Sequence, residues 1–231
     1  MALFSRILTV LVLTTSPSLV LSTPHNYRWP DERIDHLESI LYQHVFFDVE
    51  PIGPFLFPDP CEGTISKGRS IGAEWIRTAY HDMATANVAS QVGGIDASIG
   101  FETGRSENPG KAFNATLVQL TSGYSVRSSM ADLIAIGATI AAASCSNGAL
   151  MIPYRAGRID ATGPGPTGVP DPAEDIVTHK KTFDRQGFNV SEMIALVACG
   201  HSVGGVHGVD FPQIVDVVND PVRRLLDRSS L

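Results

Sequence analysis

The chain has 231 residues, of which 43% are hydrophobic and 18% are charged, and its formal net charge is −7. This length and apolar content predict one or two packed domains and exclude a disordered chain. The acidic balance, together with the lack of a Lys/Arg run in the sequence, argues against a nucleic-acid partner.

Residues 1–22 have the pattern of a secretory signal peptide. Arg6 precedes an apolar run from Ile7 to Leu13, and small residues stand just before the predicted cleavage after Ser22. Seven apolar residues are far fewer than the roughly 20 that span a bilayer, so we expect no membrane anchor once the signal is removed. The mature chain is therefore predicted to be secreted and extracellular.

Helical periodicity dominates the rest of the chain. The predicted helices cover, in chain order, residues 30–49, 70–85, 113–120, 129–144, 171–183 and 189–199. Asp171-Pro172 is read as the start of the fifth of these helices, and Asn189 to Glu192 as a capping box that opens the sixth. Strand patterns are scarce, and the Gly- and Pro-rich stretch 147–172 indicates a loop or a domain junction. We predict an all-α fold.

Two histidine-centred stretches carry the chemistry. Arg77 and His81 are four residues apart, so a helix places them on one face, one turn from each other. That face presents a fixed cation beside a base that titrates near neutrality. His201 lies 120 residues downstream of His81 in an apolar stretch. We expect both histidines to be buried and to face one cavity that holds an iron cofactor.

Three motifs follow one another along the chain: Arg77-x-x-Tyr80-His81-Asp82, Gly94-x-Asp96-x-Ser98 and Gly200-His201-Ser202-x-Gly204. In this order they resemble the plant and fungal haem peroxidase superfamily, and the resemblance is closest to its secreted fungal branch. The similarity runs from about Ser70 to Asp210. It implies an all-α haem-peroxidase fold with a distal domain at 23–160, a partial proximal domain at 161–231 and haem between the two.

The resemblance implies roles for the residues on the distal side. His81 would act as base and then acid on peroxide, and Arg77 would stabilise the charge that develops as the O–O bond breaks. Asn108, itself fixed by Glu102, would hold the imidazole of His81 as a neutral base. Tyr80 stands where the family usually has Phe or Trp above the haem plane, and Pro170 would line the haem edge.

The resemblance also implies the metal ligands. His201 matches the proximal ligand of the haem iron. A distal calcium site would use Asp82, Asp96, Ser98 and the carbonyl of Gly94, which are the oxygen donors that calcium prefers. Ser202 would begin a proximal calcium site. Haem b and Ca²⁺ are therefore the cofactors that we expect.

Three cysteines and two sequons fit a secreted protein. In an oxidising compartment, three cysteines predict one disulfide and one free thiol. The resemblance implies that Cys61 pairs with Cys145, which leaves Cys199 as a buried free thiol. Asn114 and Asn189 each begin an N-glycosylation sequon, so we expect a glycoprotein.

We therefore predict a secreted, monomeric haem peroxidase that uses hydrogen peroxide to oxidise small phenolic donors by one-electron steps. The family's manganese-binding positions correspond here to Ser70, Glu74 and His207, which supply one acid only. Leu196 stands where members that oxidise bulky aromatics have a surface tryptophan. Both differences favour small donors that react near Val169-Pro170.

Two alternatives remain open. The family's acidic partner of the proximal histidine would lie beyond Leu231, so the chain is expected to be C-terminally truncated with a divergent tail, and a non-catalytic remnant is possible. Gly200-His-Ser202-Val-Gly204 also fits the nucleophile elbow of a serine hydrolase. That fold needs an Asp and then a His after the serine. Beyond Ser202 only His207 occurs, so the hydrolase is the less favoured alternative.

Overall fold

The computed structural model describes residues 69–207 except Ser122, Asn147 and Met151. These residues form α-helices joined by turns and loops, and no β-strand occurs among them, which confirms the predicted all-α fold. The elements are α1 (Ile71–Met83), a 3₁₀ turn (Ser98–Phe101), α2 (Ala112–Thr121), α3 (Met130–Cys145), α4 (Ile176–Arg185) and α5 (Val190–Gly200).

Helix α1 begins where the sequence predicts. The Ser70 hydroxyl accepts a hydrogen bond from the Ala73 amide at 3.3 Å and so satisfies one of the amides that a helix start leaves unpaired. Its buried residues follow the helical repeat along one face: Ile71, Gly72, Glu74, Trp75, Thr78, Ala79, His81 and Asp82. The predicted active-site histidine is therefore part of the face that packs against the core.

Helix α1 packs mainly against α3. Trp75, 1% exposed, donates from its indole nitrogen to Gln119 Oε1 of α2 at 2.8 Å. A Cβ at Gly137 of α3 would lie 3.0 Å from the Trp75 ring, so the glycine allows the two helices to approach closely. Residues 131–137, in the first half of α3, are buried. This contact fixes α1, and with it the site, on the core.

Helix α4 starts later than expected. Asp171 forms a turn, because its carboxylate accepts from the Ala173 amide at 2.9 Å, and the helix begins only after Asp175, whose carboxylate accepts from the Thr178 amide. The prediction of a helix from Asp171-Pro172 was therefore wrong at its start. The capping box at Asn189 and Glu192 is confirmed, with both reciprocal hydrogen bonds present.

Cys145 is disulfide-bonded, whereas Cys199 is a free thiol. Cys199 is exposed, so the expectation that it would be buried was wrong. Cys61, the signal peptide, the helix at 30–49 and the C-terminal tail lie outside the described residues, and the predictions for them stay predictions.

Within the described residues, no helix has both the length and the apolar character needed to cross a bilayer.

Candidate active site

His81 lies in the last turn of α1 and is 8% exposed. Its Nδ1 is 2.8 Å from Asn108 Oδ1, and Asn108 Nδ2 donates to the backbone carbonyl of Glu102 at 2.9 Å. The Glu102 carbonyl can only accept, so it faces the amide nitrogen of Asn108. Asn108 Oδ1 therefore faces His81 and accepts a hydrogen bond from its Nδ1. The proton of the neutral imidazole is thus on Nδ1, and Nε2 carries the lone pair.

Burial keeps this imidazole neutral. Desolvation lowers the pKa of His81 from 6.5 to about 4, the hydrogen bond to Asn108 opposes that shift, and the positive charge of Arg77 adds to it. At neutral pH, His81 is therefore an unprotonated base whose free nitrogen is Nε2.

Glu102 supports Asn108 in a way the sequence did not predict. Its backbone carbonyl, rather than its carboxylate, accepts from the Asn108 amide. The buried carboxylate instead accepts from the Gly165 amide at 2.6 Å and lies 3.3 Å from Nη1 of Arg105. Glu102 therefore links the loop that carries Asn108 to the Gly- and Pro-rich segment at 163–170.

Arg77 lies one turn before His81 on α1. Its Cζ is 4.4 Å from the centroid of the Phe113 ring, and its Nη2 donates to the carbonyl of Pro109 at 3.0 Å. The His81 ring packs on the same phenyl group, with centroids 4.7 Å apart. The structure thus places the predicted cation and the predicted base on one aromatic side chain.

Tyr80 packs edge-on to His81, with ring centroids 6.1 Å apart, and is stacked on Phe183 of α4 at 6.4 Å. Burial raises the pKa of Tyr80 to about 12, although nearby Gln186 and Arg185 oppose the shift. Its buried hydroxyl makes no hydrogen bond of acceptable geometry within the part of the chain that the structure describes. Tyr80 is therefore a neutral phenol at neutral pH.

Gly168 joins three parts of the site. Its amide donates to Glu107 Oε2 at 3.1 Å, and its carbonyl accepts from Arg185 Nη2 at 3.0 Å. The same guanidinium nitrogen donates at 2.9 Å to the carbonyl of Ala84, the residue that follows α1. A Cβ at Gly168 would overlap that carbonyl oxygen. Sequence analysis missed this junction, because no local pattern marks Arg185 as a contact of α1.

Asp82 is completely buried beside His81. Its two carboxylate oxygens accept from the amides of Ala97 at 2.8 Å and Ile99 at 2.9 Å. Burial raises the pKa of Asp82 to about 7, the two amides oppose that shift, and the neighbouring carboxylates of Asp96 and Glu102 add to it. A cation at this position would relieve the like-charge repulsion.

The predicted calcium ligands lie in the same region. Asp96 Oδ1 accepts from the Ser98 amide at 3.1 Å, while the fully buried Ser98 hydroxyl has no hydrogen-bond partner within the described residues. The same residues contain no cluster of three or more His, Cys, Asp or Glu side chains suited to a metal. A calcium ion would thus depend on two carboxylates together with hydroxyl and carbonyl oxygens, and the unpartnered Ser98 hydroxyl fits that donor set.

His201 is the residue that follows α5, and it is exposed, so the expectation that it would be buried was wrong. Of the residues of α5 only Met193 is buried, which leaves the end of this helix at the surface of the described region. His201 Nδ1 is 2.7 Å from the carbonyl of Val197. Because that carbonyl can only accept, Nδ1 carries the proton and Nε2 is the nitrogen able to bind a metal.

Ser202 follows α5 in a turn, where its hydroxyl donates to the carbonyl of Cys199 at 2.6 Å. A nucleophile elbow places its serine between a strand and the helix that follows. Ser202 instead comes after a helix, and no strand occurs in the described region. This geometry argues against the serine hydrolase.

The segment after His201 contacts the N-terminal turn of α1. His207 Nε2 is 3.3 Å from Glu74 Oε1, and a Cβ at Gly204, whose φ is +81°, would overlap that of Ala73. The Glu74 carboxylate also accepts two hydrogen bonds from Arg69, at 2.6 and 2.8 Å. The two histidine-centred stretches therefore meet on one helix, although they are far apart in sequence.

Comparison with known proteins gives one family. A family model described as peroxidase matches residues 60–228. A WSC domain-containing protein of Arthroderma benhamiae is 48% identical over 190 residues, which are 81% of this chain and 26% of that protein. A putative L-ascorbate peroxidase 6 of Arabidopsis thaliana is 31% identical over 158 residues, 66% of this chain and 46% of that protein.

Shorter matches point in the same direction. A catalase-peroxidase of Koribacter versatilis is 46% identical over 48 residues, which are 21% of this chain and 6% of that protein. The chain thus spans about a quarter of the Arthroderma relative and less than half of the Arabidopsis one.

Proposed function

The chain belongs to the peroxidase family, and from this premise we propose that it is a secreted haem peroxidase that reduces hydrogen peroxide and oxidises small phenolic donors by one-electron steps. The observation that carries the proposal is the hydrogen bond between His81 Nδ1 and Asn108 Oδ1. It leaves a neutral imidazole with its lone pair on Nε2, which is the state that a base for peroxide needs.

His81 performs the proton transfers. Nε2 would accept a proton from one oxygen of hydrogen peroxide, and the same nitrogen would then give that proton to the other oxygen, which leaves as water. The first step needs an unprotonated imidazole, which burial secures by lowering the pKa of His81 to about 4. One residue can therefore act as base and then as acid.

Arg77 supplies fixed positive charge. Negative charge develops on the leaving oxygen as the O–O bond lengthens, and a preorganised guanidinium stabilises that charge without first having to reorganise. Its position one turn from His81 on α1 suits this role.

Haem fits the residues that the family resemblance assigns to it. His201 Nε2 is free to take the iron, because Nδ1 is committed to the Val197 carbonyl. Tyr80 and Pro170 would contact the porphyrin. Bound haem would supply the electrons that cleave the O–O bond.

Calcium fits the buried oxygen donors beside His81. Asp82, Asp96, Ser98 and the Gly94 carbonyl would hold the ion. The Ser98 hydroxyl, which lacks a partner in the described region, supports this assignment. The ion would neutralise the Asp82 carboxylate and so fix the end of α1 next to His81. A proximal calcium at Ser202 has less support, because that hydroxyl already donates to the Cys199 carbonyl.

Secretion and small donors are supported by the sequence. The signal-peptide pattern of residues 1–22 and the disulfide-bonded Cys145 both suit an oxidising compartment. Glu74 is paired with Arg69, which disfavours a manganese site at that carboxylate. Phenolic donors would then react near Val169-Pro170.

A second candidate is a non-catalytic member of the family that does not retain haem. The exposure of His201 is the observation that favours it. Titration of the purified chain with haemin separates the two candidates. A saturable Soret change at one haem per chain supports the enzyme, and a linear response supports the remnant.

The test of activity is peroxide-dependent oxidation of guaiacol by the haem-loaded chain. His81→Leu should lower kcat/KM for peroxide by about 10²- to 10⁴-fold, the range that general acid–base catalysis contributes. His179→Leu on α4 is the matched control and should leave the rate unchanged. A His81→Leu variant that oxidises guaiacol as fast as the wild type would refute the proposed mechanism.

A further inference from the structure

Phe113 lies in the first turn of α2 and is fully buried. Its ring is part of the hydrophobic core, and it also contacts two polar side chains of α1. The Arg77 guanidinium carbon is 4.4 Å from the ring centroid, and the His81 imidazole is 4.7 Å from it at an interplanar angle of 53°. One apolar side chain therefore contacts both groups that the proposed reaction needs.

The short stretch 108–113, which leads into α2, contacts this pair through three of its residues. Asn108 accepts from His81, Pro109 accepts from Arg77, and Phe113 contacts both. Arg77 is a long side chain that could adopt many rotamers, and its helical position alone does not fix where the guanidinium lies. The Phe113 ring and the Pro109 carbonyl both contact the guanidinium and so limit where it can lie.

We infer that Phe113 is a positioning residue, which holds the Arg77 guanidinium beside the His81 imidazole for the cleavage of peroxide. The inference rests on the proposed peroxidase function, and in it Phe113 acts through Arg77 and His81.

The aromatic ring matters for this role because of its charge distribution. The face of a phenyl ring is electron-rich and attracts a guanidinium, whereas an aliphatic side chain of similar size fills the space without attracting it. Leucine at position 113 would therefore keep most of the core packing but remove the ring's attraction for the Arg77 guanidinium. Misplacing a catalytic group by about 1 Å can cost on the order of 100-fold in rate.

The test compares Phe113→Leu with Leu120→Ala. Leu120 is also fully buried and lies two turns further along α2, so its truncation disturbs the core near the other end of the same helix. In the haem-loaded protein, Phe113→Leu should lower kcat/KM for peroxide at least tenfold while KM for guaiacol stays within twofold. Leu120→Ala should leave both values close to wild type. If Phe113→Leu does not fold, Phe113→Met takes its place.

A second readout does not need haem. The Arg77 side-chain protons above the ring should show ring-current-shifted NMR signals in the chain as expressed, and Phe113→Leu should abolish that shift whereas Leu120→Ala should retain it. Unchanged Arg77 signals in Phe113→Leu would overturn the inference, and so would an equal loss of peroxide kcat/KM in both variants. A wild-type chain that fails to bind haem would end the proposed function, while the Arg77 signals would still decide the placement.

Discussion

Replacing Asn108 with alanine tests the tautomer argument directly. Asn108 is 2% exposed and is the acceptor for Nδ1 of His81 at 2.8 Å. Its removal leaves a buried N–H without a partner, at a cost of about 1–3 kcal/mol. The neutral imidazole can avoid that cost by moving its proton to Nε2, which then has no lone pair for peroxide.

The expected loss follows from the same range. With each tenfold change in rate equivalent to about 1.36 kcal/mol, the penalty corresponds to a roughly 5- to 150-fold lower kcat/KM for peroxide. The assay is stopped-flow reaction of the haem-loaded protein with peroxide. Haem content is matched by absorbance, so that lost haem is not counted as lost catalysis.

Asn114→Ala is the control, because Asn114 is exposed on α2 near the same loop. It should react as fast as the wild type. Asn108→Asp keeps an acceptor for Nδ1 and should retain more activity than Asn108→Ala. If Asn108→Ala reacts within twofold of the wild-type rate, Asn108 does not set the tautomer of His81 and the reasoning fails.

Three further predictions follow from the site. The rate constant for the reaction with peroxide should be constant between about pH 5 and 8 and should fall in more acid solution, with a midpoint near 4. A protonated His81 cannot accept a proton, and burial lowers the pKa of His81 to about 4. A midpoint near 6.5 would contradict this prediction. Arg185→Gln removes charged hydrogen bonds to backbone carbonyls and should lower the free energy of unfolding by about 2–3 kcal/mol, measured in urea. The control Lys180→Gln, on the exposed side of α4, should leave the free energy of unfolding unchanged. A calcium chelator should lower Tm in the wild type and have no effect in Asp82→Asn, and an equal drop in both proteins would exclude calcium at this carboxylate.

The helices were predictable because their signals are local. Ser70 and Asn189 each cap the helix that follows them, and apolar spacing marks the buried face of α1. The start of α4 was missed because two aspartates, Asp171 and Asp175, compete as caps within five positions. A sequence pattern cannot tell which of them closes a turn and which begins the helix.

The polar contacts of the site were only partly predictable. Arg77 and His81 share a helix face, so spacing alone brought them together, but Asn108 is 27 residues from His81 and entered only through the family resemblance. The Glu102 contact goes through its backbone carbonyl, which no side-chain pattern reveals. Phe113 and Arg185 carried no local signal, since a phenylalanine and an arginine in amphipathic helices are usually packing and surface residues.

The two histidines show how the same tautomer can be fixed in two ways. In both, Nδ1 donates to a neutral oxygen and Nε2 keeps the lone pair. His201 Nδ1 donates to the carbonyl of Val197, four residues earlier, so α5 alone determines which ring nitrogen carries the proton. His81 Nδ1 donates to Asn108, which lies on a loop 27 residues away, so the position of the proton on this ring depends on tertiary packing. A carbonyl is a weaker acceptor than a carboxylate, so in the proposed haem site His201 would be a weaker electron donor to iron than a carboxylate-paired histidine. The proton position of His81 is therefore specified by a long-range contact, and that of His201 by its own helix.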